Sequence, residues 1–427
     1  MMTAGVAKTG GWLLSAAAAL LIGLMVHQPV ARAADADAPA GAPAGDPAAW
    51  DAVLAEARGQ TVRFNAWGGD PKINAFIADI GRQLADCCAI TLEQVKLADT
   101  AEAVGRIRAE AAAGRLQDGG SVDLLWVNGE NFVALRQADL LYGPFLDRLP
   151  DARAINLGAN PALTSDGHIP VDGYEVPWGL SQFALVYDSA VTPRPPRGPK
   201  ALAGWIGAHP GRFTYPAPPD FIGTTFLKQM LMMLLDDAGR AALAAPVDPA
   251  RAPLITAPLW DWLDRVRPSL WRAGQAYPPS GPAHEQLLID RAVDLGFAFH
   301  PGQAASAIAA GLMADTARVA GWSGGGIANA HFVAIPRNAP AKAAAMVAAN
   351  HLISPAAQAA KLDPAVWGDM TVLAADRLSD DGRARFAAID LGPAWPSDDE
   401  LGPALPEPHP DWTGWLEAEW ARRYLGG

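Results

Sequence analysis

The sequence predicts an α/β protein of two lobes. Three observations carry this. Apolar runs of strand length alternate with helices bearing one apolar face, the series restarts after a proline-rich stretch, and several strand ends carry loops of glycine, aromatic and acidic residues. "TVRFNAW" (61–67) reads as a strand, and "PKINAFIADIGRQLAD" as a helix with its stripe at Ile73, Phe76, Ile77 and Ile80. "ITLEQVKL" is a strand, "TAEAVGRIRAEAAAGR" a helix opened by Asp99 or Thr100, and "SVDLLWV" a buried strand ending at Asn128-Gly129-Glu130-Asn131. A β-α-β-α-β series implies a parallel sheet, and ligands gather at the carboxyl ends of such strands.

The second series begins with "FALVYD" behind Pro177-Trp178-Gly179. "FTYPAPPDFIGTTFLKQMLMMLLDD" gives a strand, a loop and a long helix, and "VDLGFAFHPGQAASAIAAG" a strand that carries His300 into another helix. "ANAHFVAIP" is an extended run that leads back, followed by a helix. The last helix spaces Trp412, Leu416, Trp420 and Tyr424 at four residues, a core stripe.

The chain has 427 residues and a net charge of −12. Lys8, the apolar run Trp12–Val26 and Ala31-Arg32-Ala33 read as a secretory signal with cleavage after Ala33. That apolar run is short for a membrane span, which needs ~20 residues. Losing Lys8 and Arg32 takes the charge to about −14, spread without a basic stripe, which excludes nucleic acid as the expected partner. Residues 34–49, poor in large apolar side chains, read as a flexible leader. The only cysteines, Cys87 and Cys88, are adjacent. A strained ring disulfide is one reading; two buried thiols in a helix are the expected one.

Catalytic readings find little support. "GWSGG" (321–325) matches a nucleophile elbow, but glycines rather than a helix follow Ser323, so an exported hydrolase is the weakest alternative. His300 lacks partners at metal-ligand spacing. No metal and no cofactor are expected. Binding readings do better, because five loops share one character. Trp67-Gly68-Gly69-Asp70, Asn128-Gly129-Glu130-Asn131, Tyr174 through Trp178, Tyr215 with Asp220, Phe221 and Thr224, and Trp322-Ser323 each combine an aromatic or glycine with polar groups. Small-molecule sites have aromatic walls and a few orienting polar groups. Asp70, Glu130, Glu175 and Asp220 are candidate counter-charges for a cation.

"WGGDPKIN", "LADTAEAVGRI", "GSVDLLWVNGENF", "QADLLYGPF", "EVPWGLSQFALVYD" and "AHFVAIPRNAPAKAAAMVAANHLISPAAQ" together resemble the periplasmic solute-binding proteins of ABC importers, and within them the YnjB group. The resemblance implies a type II periplasmic-binding architecture: two α/β lobes, hinge crossings and an interlobe cleft. It also implies a periplasmic, non-enzymatic protein, expected as a monomer, that delivers a small molecule to an inner-membrane permease. Lobe 1 is expected over 50–177 with a return segment 328–370. Lobe 2 is expected over 178–327, with a tail from 371–427 packed mainly on it. A sensor or adaptor of the same fold is the alternative the sequence leaves open.

Overall fold

The computed structural model describes residues 47–159 and 161–425. The expected signal and most of the leader lie outside the described residues. Pro47–Ala57 forms the first helix, so residues 47–49 belong to the fold rather than to the leader.

The strands are β1 (Thr61–Trp67), β2 (Thr91–Leu97), β3 (Leu124–Val127), β4 (Ser165–Asp166), β5 (Ile169–Pro170), β6 (Glu175–Gln182), β7 (Ala184–Asp188), β8 (Leu295–Ala298), β9 (Ala317–Ala320), β10 (Gly326–Ala334) and β11 (Ala404–Leu405). One sheet runs β11-β10-β3-β1-β2, with β6 also paired to β10. β1 is parallel to β2 and β3, as the β-α-β-α-β pattern requires. β10 enters antiparallel to both β3 and β6. The second sheet, β8-β7-β9, is antiparallel throughout.

Local sequence explains the first units. Alternation in β1 buries Val62, Phe64 and Ala66. The helix Pro71–Cys88 starts where Asp70 accepts the Lys72 and Ile73 N–H groups and Pro71 needs no donor, and it buries Ile73, Phe76, Ile77, Ile80 and Leu84. Its apolar stripe ends at Leu84, so the last turn lies outside the core. There Cys87 and Cys88 form a disulfide, with Cys87 exposed and Cys88 half-buried. This corrects the expectation of two buried thiols. Neighbouring side chains diverge on a helix, and the bond forms where the helix gives way to a left-handed Ala89, φ 54°.

Two cores divide the molecule. The first gathers Val53 to Trp178 with Ala330 to Leu378. The second gathers Phe183 to Ile327 with Trp412 to Tyr424, and a small satellite cluster around Val186 and Ala298 adjoins it. Val372, Leu373 and Leu378 belong to the first core, so the tail expected on lobe 2 from residue 371 leaves lobe 1 only after them. The terminal stripe Trp412, Leu416, Trp420 and Tyr424 is buried as expected.

β6 and β10 connect the lobes. β6 begins in the first core at Val176 and leads to Phe183 in the second, while β10 begins at Ile327 in the second and ends at Phe332–Ile335 in the first. They pair from Ala328↔Gln182 to His331↔Gly179, and then Phe332 faces Pro177. Trp178 is the extra residue, a β-bulge that bends this crossing pair.

Candidate functional site

The crossing strands form the floor of the interlobe cleft. Alternation along β10 buries its apolar side chains and leaves Asn329 and His331 half-exposed on one face. Trp126 and Asn128, at the end of β3, are likewise half-exposed. Asn128 Nδ2 donates to Asn329 Oδ1 at 3.4 Å, and the Trp126 and His331 rings meet edge to face at 5.3 Å. Trp367 closes this aromatic corner, 6.0 Å from Trp126 and 6.2 Å from His331.

Beneath the floor lies a buried ion pair. Lys361 Nζ is 2.6 Å from Asp369 Oδ2, both side chains being at most 1% exposed, and His331 Nε2 is 3.3 Å from Asp369 Oδ1. Burial alone would raise the Asp369 carboxyl, but Lys361, His331 and His300 override it and hold it well below the usual carboxylate range. Gly179 makes this packing feasible: a Cβ there would lie 2.4 Å from Asp369 Oδ2 and 2.4 Å from His331 Cδ2.

At the other end of the floor, Glu407 accepts from Asn329 Nδ2 (3.2 Å) and from Lys228 Nζ (3.1 Å). Burial would raise Glu407; Lys228, Asn329 and His168 hold it down. Asp166 takes the Gly129 N–H at 2.8 and 2.7 Å from its two oxygens. Burial, aided by Glu407 and Glu130, pushes the Asp166 carboxyl up to about 7 against that hydrogen bond. A cavity of 410 Å³ opens beside it, lined by Glu130, Gln137 and His168 from lobe 1 and by Ala244, His409 and Asp411 from lobe 2.

Several expected residues lie at strand ends and helix starts, some of them exposed. Trp67 is 42% exposed at the end of β1. A Cβ on Gly69 would sit 2.3 Å from the Trp67 ring, so that glycine lets the ring fold back over the turn, and one on Gly68 would sit 2.6 Å from Lys96 Cβ, so that glycine lets the turn pack on β2. Asp70 caps the following helix, which makes it structural first, though only its Oδ1 is engaged. Glu130 is exposed and Asn131 half-buried at the next helix start. Phe221 is 52% exposed and rests on Phe299, 4.9 Å between centroids, and the adjoining His300 reaches the Asp70 side from lobe 2. Burial keeps His300 toward the neutral imidazole despite Asp369, and its Nδ1 is sealed without a partner.

Most other expected site residues serve packing or capping. Trp178 is fully buried in the first core, 4.9 Å from Trp126 and 5.4 Å from Trp367, because the bulge turns it inward. Tyr215 and Trp322 lie in the second core; Tyr215 accepts the Trp420 indole N–H at 3.0 Å, and Trp322 stacks on Phe183. Tyr174 packs on lobe 1 under the Arg136 guanidinium at 3.7 Å. Thr224 is buried and donates to Glu417 at 2.8 Å. Asp220 caps the Phe221–Leu234 helix and also accepts the Gly281 N–H at 2.9 Å. Ser323 is exposed in a turn whose N–H bonds the Arg197 carbonyl, without a helix behind it. Glu175 is fully buried, so it is no counter-charge in the cleft. The floor residues Asn329, His331, Trp367 and Glu407 were not among the expected ones. Polar residues at alternate positions of the apolar run "ANAHFVA" are the signal that marks two of them.

The model of the family described as bacterial extracellular solute-binding protein matches residues 84–381. This chain is a member of that family. Protein YnjB of Escherichia coli K12 is 46% identical to this solute-binding protein over 375 residues, covering 88% of this chain and 94% of that one. Among solved structures, the spermidine/putrescine ABC transporter substrate-binding protein PotD of Streptococcus pneumoniae superposes with a TM-score of 0.60 at 13% identity, over 86% of this chain and 99% of its own. Iron-bound HitA of Pseudomonas aeruginosa gives 0.56 at 14%, over 84% and 99%. These likenesses agree with the two-lobe type II binding fold. This chain is therefore a non-enzymatic bacterial extracellular solute-binding protein, whose partner is the solute it binds. No helix of the described residues is long and apolar enough to cross a membrane.

Proposed function

We propose that this solute-binding protein works as a periplasmic monomer, freed of residues 1–33 on export, that closes over a small organic cation or amphipathic solute of thiamine-like or polyamine-like chemistry. One observation carries the reading. The cleft floor offers the half-exposed Trp126 at one end and, at the other, the exposed Glu130 and the Asp166 carboxyl, while Lys228 at that end is already held by Glu407. A cation over tryptophan gains roughly 0.5–2 kcal/mol. The two helix N-termini at the Trp67 and Phe221 walls, natural anion seats, are filled by this chain's own Asp70 and Asp220. That arrangement supports a cation over an anion. The similar PotD carries spermidine/putrescine in its name and HitA is iron-bound, so both chemistries belong in a panel. Among the described residues no group of three His, Cys, Asp or Glu is placed to hold a metal ion.

The test is thermal unfolding of the chain from Ala34 onward, stripped of co-purified solute, against thiamine and its phosphates, spermidine, putrescine, quaternary amines, amino acids, sugars and ferric iron. A solute at 100 times its dissociation constant adds ~2.7 kcal/mol to the folded state. A shift from one cation, lost in Trp126→Ala and absent for its neutral analogue, is the expected result. Shifts from sugars or anions alone would overturn the cation assignment. No shift from any compound would favour a sensor whose partner is a protein.

A further inference from the structure

The helix Glu130–Gln137 starts on Gly129, which has no side chain to cap it. Gly129 is held at φ +58°, a conformation glycine adopts without penalty. The Gly129 N–H itself finds its acceptor elsewhere in the chain: Asp166, in the β4–β5 hairpin, receives it on both oxygens. The next residue, Gly167 (φ +52°), lies so close to the same loop that a Cβ would fall 2.5 Å from Val133 Cγ2 and 2.9 Å from the Gly129 carbonyl oxygen. His168 then stacks on His409 of lobe 2, with centroids 5.4 Å apart and planes at 30°. His409 is fixed to lobe 2 through its own N–H to the Leu243 carbonyl and through Trp412 in the second core. Three consecutive residues thus touch the cleft loop, the helix behind it and the opposite lobe.

We infer that the hairpin 165–170 is a strap coupling the cleft loop 128–131 to lobe closure, with Asp166 as the positioning residue of that loop and His168 as its contact with lobe 2. This rests on the reading that the loop meets the solute. Asp166 is faced by Glu130 from the helix, Glu175 from β6, and Glu407 with its partner Lys228 from lobe 2, with His168 and His409 alongside. Its carboxyl gives up its proton at about pH 7 in this acidic setting, and an ionised carboxylate is the stronger acceptor.

The experiment uses solute-free protein, so its failure is separable from failure of the solute assignment. Hydrogen exchange at the Gly129 amide, divided by the intrinsic rate, is followed from pH 5.5 to 8.5. In the parent chain protection rises severalfold through pH 7. Asp166→Asn, which keeps an acceptor and the shape, retains protection but loses the pH dependence; Asp166→Ala loses protection about tenfold. A flat profile in the parent chain, or the parent's profile in Asp166→Asn, would overturn the positioning role, and both remain readable if Asp166→Ala fails to fold. For the second arm, His168→Ala and His409→Ala should each increase the radius of gyration in small-angle scattering, with no further increase in the double variant. Unchanged dimensions in both would remove lobe 2 from the strap.

Discussion

Removing Lys361 tests the hinge most directly. Its ammonium and the Asp369 carboxylate are sealed from solvent at 2.6 Å, and Lys361 also donates to the Met370 carbonyl at 2.7 Å and lies 5.4 Å from the Trp367 ring centroid. Lys361→Met keeps the length and removes the charge. Asp369 would then be a buried carboxylate whose remaining charge-assisted contact is His331. Breaking a buried pair in this way costs about 3–5 kcal/mol, whereas replacing both members with apolar residues is often neutral or stabilising. The double variant Lys361→Met/Asp369→Leu should therefore lie within about 2 kcal/mol of the parent, the residual being His331 left without its carboxylate, since the Met370 carbonyl keeps the Leu180 N–H. Urea unfolding followed by tryptophan fluorescence reports on Trp126, Trp178 and Trp367 around the pair. If the two single substitutions simply add, or if Lys361→Met costs less than about 1 kcal/mol, the pair is not the coupled unit described.

Three further outcomes follow from single contacts. Asp70→Ala should cost about 1 kcal/mol of unfolding free energy through loss of its cap, with Asp70→Asn recovering most of it; equal losses in both would rule out the cap. His284 is buried against Phe297, and burial pulls it down from 6.5 to about 4 despite the Thr214 backbone contact. A depressed histidine is neutral when folded and binds its proton when unfolded, so its contribution is present above pH 6.5 and fades as pH falls toward 4. At about 1.4 kcal/mol per tenfold change in proton affinity, this is up to about 3 kcal/mol, and His284→Gln should flatten urea stability across that window. Gly302→Ala would drive a Cβ to 2.2 Å from the Gly368 carbonyl oxygen, where a lobe 2 helix meets a lobe 1 loop. Small-angle scattering should then show a more open molecule, and an unchanged radius would mean that this contact does not limit closure.

The first βαβαβ unit was legible because each element declares its own period: Ile73, Phe76, Ile77 and Ile80 fix a helical face, and Val62, Phe64 and Ala66 a strand face. The terminal aromatic stripe was legible for the same reason. Composition failed in the loops. Tyr215, Trp322 and Trp178 stand among glycines and prolines as Trp67 does, yet only Trp67 lies outside the core, because the direction of a loop side chain depends on what packs behind it. Trp178 adds a bulge that alternation alone does not reveal. The Asp166–Gly129 bond joins residues far apart in sequence, and no local pattern announces it. Cys87–Cys88 depended on where the helix ends, and helix ends are the least certain part of any periodic reading.

The lobe 2 core is closed by Trp412, Leu416, Trp420 and Tyr424, contributed by the helix Asp411–Tyr424, and β11 pairs with Gly326 and Ile327 only near residue 404. A chain emerging N-terminus first has all of lobe 1, its return segment included, before these residues appear. Lobe 2 cannot seal its interior until almost the whole polypeptide has been made. Partly built, it would display Tyr215, Phe226 and Trp262 to the surroundings, an invitation to aggregation. Synthesis and folding are thus set in a fixed sequence by the way the chain doubles back, and a stop codon before Asp411 would spoil far more than the few residues it deletes.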